Sequence, residues 1–318
     1  MNEFELIDLF VRGAPRGGEG VVLGIGDDAA VLEPPPGEEL VMTVDAVVEG
    51  VHFDRSFSPE EIGYKALAVN LSDLAAMGAR PLWALCALAT RRGERAERLA
   101  GVGRGLAACA RVHRVALVGG NVTRASELSL TVTVVGAVRP GRALTRAGGQ
   151  PGDQVLVSGT LGDAAAGRRK GAPRALVERQ RRPRPRLALG RALAPLAHAG
   201  LDVSDGLLQD LGHLCAAAGL GATVRLEALP LSLAYRRLEG RRRRPLEAAL
   251  AGGEDYELLV AVPPGRVRRA RSLARKVGVR LTAVGELTPT PGLRVVDARG
   301  EEYRLRALGH DHLRAPRA

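Results

Sequence analysis

Apolar runs with strand character alternate with helical patterns along the whole chain, and this alternation narrows the fold more than any other feature. VVLGIG, LVMTVDAVV, VALVGG and LSLTVTVVGAV read as strands. Between them, residues 59–77 and 94–111 read as helices. In the first of these Leu67, Leu71, Leu74 and Ala75 recur at three- and four-residue spacing. A second group of strands follows in QVLVSG, ATVRLEAL, YELLVAVP and VRLTAVGEL. Helical stretches near 161–170, 186–199, 205–218 and 265–277 separate them. The two groups part around residues 138–152, where RPGRALTRAGGQPGD is rich in glycine, proline and arginine. The class is therefore α/β to α+β, with two domains, 1–140 and 141–318. A chain of 318 residues accommodates two such cores.

Composition excludes several classes of function. No apolar stretch reaches the roughly 18 residues of a membrane span. The start, MNEFELIDLF, carries Glu3, Glu5 and Asp8, the wrong charge for a secretory signal. The three cysteines, Cys86, Cys109 and Cys215, are far apart in apolar runs and read as buried thiols of a reducing compartment. A cytoplasmic protein without a membrane partner is the expectation. The net charge of +11 raises the question of nucleic acid. Yet the basic residues are almost all arginine, with only Lys65, Lys170 and Lys276 as lysines. The dense runs Arg181 to Arg186 and Arg241 to Arg244 contain or meet prolines and read as solvated connections. Aromatic residues at 3 % leave little for base stacking, so no nucleic-acid partner is expected.

Chemistry is written at the ends of the apolar runs. GIGDDAAVL contains Asp27 and Asp28; TVDAVVEGVHF contains Thr43, Asp45 and His52. NLSDLAAMGA places Asp73 inside an otherwise apolar helix. DVSDGLLQDLGHL contains Asp202, Ser204 and Asp205, and GGEDYELL contains Glu254 and Asp255. Each has a plain structural reading: Ser204 or Asp205 can cap a helix, and Asp27 and Asp28 can make a turn after Gly26. Asp73 resists that reading, because a carboxylate buried among Leu71, Leu74, Ala75, Ala76 and Met77 needs a partner, and a cation is one. Several carboxylates with hard oxygen donors suit Mg²⁺ shared with substrate phosphates. Clusters of cysteine and histidine that would select a softer metal are absent from the sequence. LVGGNVTR and SGTLGDAAAG add glycines that let a backbone approach phosphate. No GxxxxGK[ST] loop, HRD or DFG is present, so ATP would be handled on another scaffold.

In this order and spacing the segments resemble the thiamine-monophosphate kinases, a family related to the aminoimidazole ribonucleotide synthetases and selenophosphate synthetases. The resemblance covers nearly the whole chain, from FELIDLF to GHDHL. YKALAVNLSDLAAMGARP, RALTRAGGQPGD, DVSDGLLQDLGHL and GGEDYELL are its most specific parts. It implies a two-domain aminoimidazole ribonucleotide synthetase-like fold. The N-terminal α/β domain would bind ATP and metal and pair across a homodimer, and the C-terminal domain would be α+β. It implies ATP-dependent, Mg²⁺-assisted, direct in-line phosphorylation of thiamine monophosphate to thiamine diphosphate. By the same resemblance Asp28, Thr43, Asp45, Asp73, Asn121, Asp202 and Asp205 are metal ligands. Gly120, Asn121, Arg146 and Ser204 contact ATP, and His52 and Glu254 contact thiamine phosphate. Asp73, Asp205 and Arg146 form the catalytic set.

Three departures from the family pattern stand out. Asn121 replaces a usual aspartate, Ala307 an aromatic that packs on the substrate, and His113 a tyrosine near the nucleotide. A superfamily enzyme with another acceptor remains the alternative, as does a nucleotide-binding protein that has lost catalysis. Selenophosphate synthetases carry a reactive cysteine near the start, whereas Cys86 is the first here.

Overall fold

The computed structural model describes residues 3–240 and 245–303. Ala307, GHDHL and the run Arg241 to Arg244 lie outside the described residues. The chain forms two compact units. One comprises residues up to 74 with 79–141, the other 75–78 with everything from 142 onward.

The first unit begins with α1 (Glu3–Phe10) and a small hairpin of β1 (Val21–Leu23) and β2 (Val31–Leu32). Then come β3 (Glu39–Val48), α2 (Pro59–Ala76), β4 (Arg80–Thr90), α3 (Ala96–His113), β5 (Ala116–Arg124) and β6 (Ser129–Val138). The last four strands form one sheet in the order β3-β6-β4-β5. Only β4 and β5 run parallel, and α3 is their crossover. Helices α2 and α3 meet through glycine. A Cβ at Gly63 would lie 1.8 Å from the carbonyl oxygen of Val102, and one at Gly105 would lie 2.0 Å from that of Glu60. Along β4 and β6 burial alternates with period two. Ala84, Cys86, Leu88, Leu130, Val132 and Val134 are buried, while Leu85 and Ala87 are exposed. The helix α1 was not foreseen from sequence, and VVLGIG contributes only three residues of strand.

The second unit runs β7 (Gln154–Ser158), α4 (Asp163–Gly167), α5 (Arg174–Arg181), α6 (Leu187–Leu193), β8 (Ala199–Val203), α7 (Leu207–Ala218) and β9 (Gly221–Arg225). It continues with α8 (Leu233–Glu239), α9 (Glu247–Ala251), β10 (Glu257–Val262), α10 (Val267–Lys276), β11 (Leu281–Thr288) and β12 (Gly292–Val296). Six strands form a sheet in the order β12-β9-β11-β7-β10-β8, antiparallel except for β12 with β9. Every residue of β10 is buried. The core gathers Leu201, Val203, Leu207, Leu211, Leu259 and Val284. This is an α+β arrangement beside an α/β one, the fold class read from the sequence.

Arg186 corrects one expectation. It is not part of a solvated connection: its Nε donates to Glu257 Oε2 at 2.7 Å and its Nη2 to Oε1 at 2.5 Å.

Candidate active site

In the first unit β3 and α2 bring two expected metal ligands together. Thr43 Oγ1 donates a hydrogen bond to Asp73 Oδ2 at 2.7 Å. Asp73 is half-buried, not enclosed, because it leaves α2 on the side that faces β3. Its need for a partner is met in part by a hydroxyl of the protein. Asp45 follows Thr43 by two residues and so shares its sheet face.

Asn121 does not join them. It lies within β5, opposite Ala87, in the exposed row on the other face of the sheet. Gly120 sits in the row of Cys86, Val132 and Asp45. A Cβ there would fall 2.0 Å from the Cys86 carbonyl oxygen, so close strand packing alone demands glycine. Asp28 is exposed, and its N–H is held by Asp27 Oδ1 at 2.9 Å in a local turn after Gly26, as the plain reading anticipated. His113 closes α3; burial lowers its pKa, and its Nε2 has no hydrogen-bond partner.

The loop after β3 presents His52. Its Nδ1 accepts the Val48 N–H at 3.1 Å, which puts the proton of a neutral ring on Nε2. Lys65, which sequence reasoning passed over, donates to the His52 carbonyl oxygen at 2.9 Å from a wholly buried position. Its ammonium stands 5.5 Å from the centre of the Phe57 ring. A lone lysine inside YKALAVNL was the available signal.

In the second unit the β8–α7 loop carries Asp202, Ser204 and Asp205. Neither Ser204 nor Asp205 caps α7: the residue at its start is Gly206, with no side-chain cap. Asp210 reaches back instead, its Oδ2 accepting the N–H groups of Ser204, Asp205 and Gly206 at 3.0, 3.1 and 3.1 Å. Burial and the charge of Asp205 push the Asp210 carboxyl up to about 7, while the three N–H groups pull it down. Gln209 Nε2 donates to Asp205 Oδ2 at 3.1 Å.

The Glu254 segment lies against the same loop. The N–H of Glu254 donates to the Ser204 carbonyl at 2.7 Å, and that of Tyr256 to the Val203 carbonyl at 2.8 Å. Both residues take left-handed backbone angles, φ +70° and +48°, a conformation that costs non-glycine residues energy and gathers at functional sites. The Glu254 carboxylate is buried and paired with Arg168, whose Nε lies at 3.1 Å. Asp255 points inward and accepts N–H bonds from Gly162 at 2.6 Å and Ala164 at 3.3 Å. Burial pushes its carboxyl up to about 8. The glycine of SGTLGD is thereby explained from within: a Cβ at Gly162 would lie 2.6 Å from the Tyr235 ring. Arg146 is exposed on the segment that precedes β7.

Among the described residues no three carboxylate, histidine or cysteine side chains form a group placed to hold a metal ion. The donors themselves are all oxygen, from the Thr43 hydroxyl, the Asn121 amide and five aspartates. Two of them meet at Thr43–Asp73, and Asp202 and Asp205 share one short loop. That chemistry fits Mg²⁺.

Two family models match the chain: the N-terminal domain of AIR synthase related protein over residues 26–138, and its C-terminal domain over residues 150–298. The thiamine-monophosphate kinase of Escherichia coli strain K12 is 40 % identical over 325 residues, 99 % of each chain. Among solved structures, thiamine-monophosphate kinase from Stenotrophomonas maltophilia K279a is 40 % identical with a TM-score of 0.83. That match spans 94 % of this chain and 96 % of the other. AaThiL complexed with AMPPCP and TMP is 32 % identical with a TM-score of 0.77, over 97 % of both chains.

Proposed function

The chain belongs to the thiamine-monophosphate kinases of the AIR synthase related family, and from that premise we propose that it transfers the γ-phosphoryl group of ATP to thiamine monophosphate, giving thiamine diphosphate. The observation that carries this reading is the 40 % identity to the Escherichia coli kinase over essentially the full length of both chains.

The acceptor is itself a phosphate monoester, which loses its second proton near a pKa of about 6. At neutral pH the attacking oxygen is already ionised, so no side chain has to remove a proton. The obstacle is repulsion between two anions. An acceptor oxygen bonds to the γ-phosphorus as the bond to the bridging oxygen of ADP breaks, in one in-line step without a phosphoenzyme. Arg146 neutralises phosphate oxygens through its two-pronged guanidinium. Ser204 and Gly120 contact ATP, and His52 and Glu254 hold the thiamine phosphate. Asp28, Thr43, Asp45, Asp73, Asp202 and Asp205 and, on the other sheet face, the neutral amide of Asn121 would hold several Mg²⁺ ions. Bound Mg²⁺ supplies positive charge to the phosphate oxygens. Residues 1–140 serve ATP, metal and dimerisation, and residues 141–318 complete the enzyme as the α+β domain.

A homodimer is supported by the sheet of the first unit, whose uncovered face shows Met42, Val44 and Leu85. Apolar side chains exposed on one face favour a second copy over water. A cytoplasmic setting is supported by three buried cysteines that form no disulfide; no described helix is long and apolar enough to cross a membrane. Cys86 is no nucleophile for another acceptor, since burial pushes its thiol up to about 12.

Turnover with ATP, Mg²⁺ and thiamine monophosphate tests the activity directly. Thiamine diphosphate and ADP should form one for one, with no burst and no phosphorylated protein. Absence of product, or tight salt-dependent binding of nucleic acid in its place, removes the reading. Within the site, His52→Asn and Glu254→Gln should raise KM for thiamine monophosphate about tenfold, roughly 1.4 kcal/mol, while KM for ATP stays nearly constant. Equal rises for both substrates would move these residues out of the acceptor site.

A further inference from the structure

Asp210 stands one turn inside α7 and is 3 % exposed. A single oxygen of its carboxylate gathers three consecutive backbone N–H groups, those of Ser204, Asp205 and Gly206. Consecutive N–H groups turned toward one point form an anion-binding concavity. Here the protein fills that concavity with its own oxygen. The opposite side of the loop is held as well, by the Glu254 N–H on the Ser204 carbonyl at 2.7 Å. Gly206 permits the bend: its φ is +122°, and a Cβ there would lie 2.8 Å from the carbonyl carbon of Ala251. The loop therefore has little freedom left, and Ser204 and Asp205 are its partly exposed residues.

We propose that Asp210 is a positioning residue for phosphoryl transfer, acting through Ser204 and Asp205 by fixing the backbone that carries them. This rests on the reading above, in which Ser204 meets ATP and Asp205 a divalent cation. A displacement of about 1 Å at such groups can cost about a hundredfold in rate. The effect belongs to the nucleotide side of the reaction.

The geometry supplies its own control. All three hydrogen bonds end on one oxygen, so Asp210→Asn retains them through its amide oxygen, whereas Asp210→Leu keeps the volume and removes the acceptor. Asp210→Leu should lower kcat by about a hundredfold and raise KM for ATP about tenfold, with KM for thiamine monophosphate within about twofold. Asp210→Asn should stay within about tenfold of the wild type in kcat. Amide hydrogen exchange at Ser204, Asp205 and Gly206 should accelerate about a hundredfold in Asp210→Leu and remain protected in Asp210→Asn, with the β10 amides unchanged in both. Loss in Asp210→Asn equal to that in Asp210→Leu overturns the proposal, as do parallel rises in both KM values or unaltered exchange. If Asp210→Leu does not fold, Asp210→Asn decides alone: a kcat loss beyond about a hundredfold overturns the proposal. If the wild type transfers no phosphoryl group from ATP to thiamine monophosphate, the functional reading fails by itself. The exchange comparison still decides whether Asp210 holds the loop.

Discussion

Glu257→Gln is expected to lower the stability of the second unit by about 3–5 kcal/mol, the cost of removing one partner from a buried ion pair. Glu257 is wholly buried at the head of β10. Its Oε1 is shared by Arg179 and Arg186, and its Oε2 takes Arg186 Nε at 2.7 Å and Ser158 Oγ at 2.5 Å. Gly159, at φ +59°, leaves room for the carboxylate, since a Cβ there would lie 2.1 Å from Oε1. Burial alone would raise the pKa, but the two arginines outweigh it and hold the carboxyl below the usual glutamate range. An acid whose folded pKa is depressed contributes stability above its unfolded pKa and loses it as the pH falls through the folded value. Near neutral pH the pair is therefore intact, and the glutamine variant strands two guanidinium groups that are only 17 % exposed. In a unit of this size about 2–4 °C of Tm is lost per kcal/mol, so a fall of about 10 °C is expected. Urea unfolding of both forms at pH 7 measures it. A difference under about 1 kcal/mol would mean that water or the other acids already satisfy Arg179 and Arg186.

The arginines of that cluster show where sequence reading reaches its limit. Arg186 lies in RRPRPR, and every local rule for such a run predicts a solvated connection. What draws it inward is Glu257, 71 residues away, and no periodicity in either segment encodes the pairing. The strand β8 was missed for a related reason. AGLDV has glycine at its second position and only one β-branched residue, so its strand character comes from pairing with β10. Helix α7 was legible because burial of one face imposes its own spacing, and α2 and β10 because near-continuous burial makes them long apolar runs.

The chemistry was legible at the level of segments, less so at the level of side chains. Thr43 and Asp73, named from separate segments, are joined by a hydrogen bond. Asn121 was named beside them as a ligand, yet it lies within a strand on the other sheet face. Whether a glycine serves a ligand or a neighbouring strand depends on what stands beside it, and for Gly120 that is the Cys86 carbonyl. Asp210 escaped notice because an aspartate at the end of the first helical turn, four residues after a glycine, matches no capping pattern. Its role is visible only once three N–H groups are seen to converge on it.

Asp73→Asn is the substitution expected to cost most activity. The asparagine oxygen can still accept the Thr43 hydroxyl bond, so the contact of 2.7 Å between β3 and α2 is preserved and the fold should remain. What disappears is the negative charge. If Asp73 holds Mg²⁺ as proposed, the ion is left with an amide in place of a carboxylate, next to two mutually repelling phosphates. A loss of about 4 kcal/mol of transition-state stabilisation, about a thousandfold in kcat, is the expected size. Thr43→Val makes the complementary change: it removes the hydroxyl, keeps the Asp73 charge and should cost less than about a hundredfold in kcat. The measurements are kcat at saturating Mg²⁺, ATP and thiamine monophosphate, with thermal unfolding of the metal-free protein alongside. The hydrogen bond to Thr43 is retained, so the unfolding temperature without Mg²⁺ should not fall. Near-normal turnover would take Asp73 out of the metal set. A large fall in unfolding temperature would instead place its importance in the β3–α2 contact.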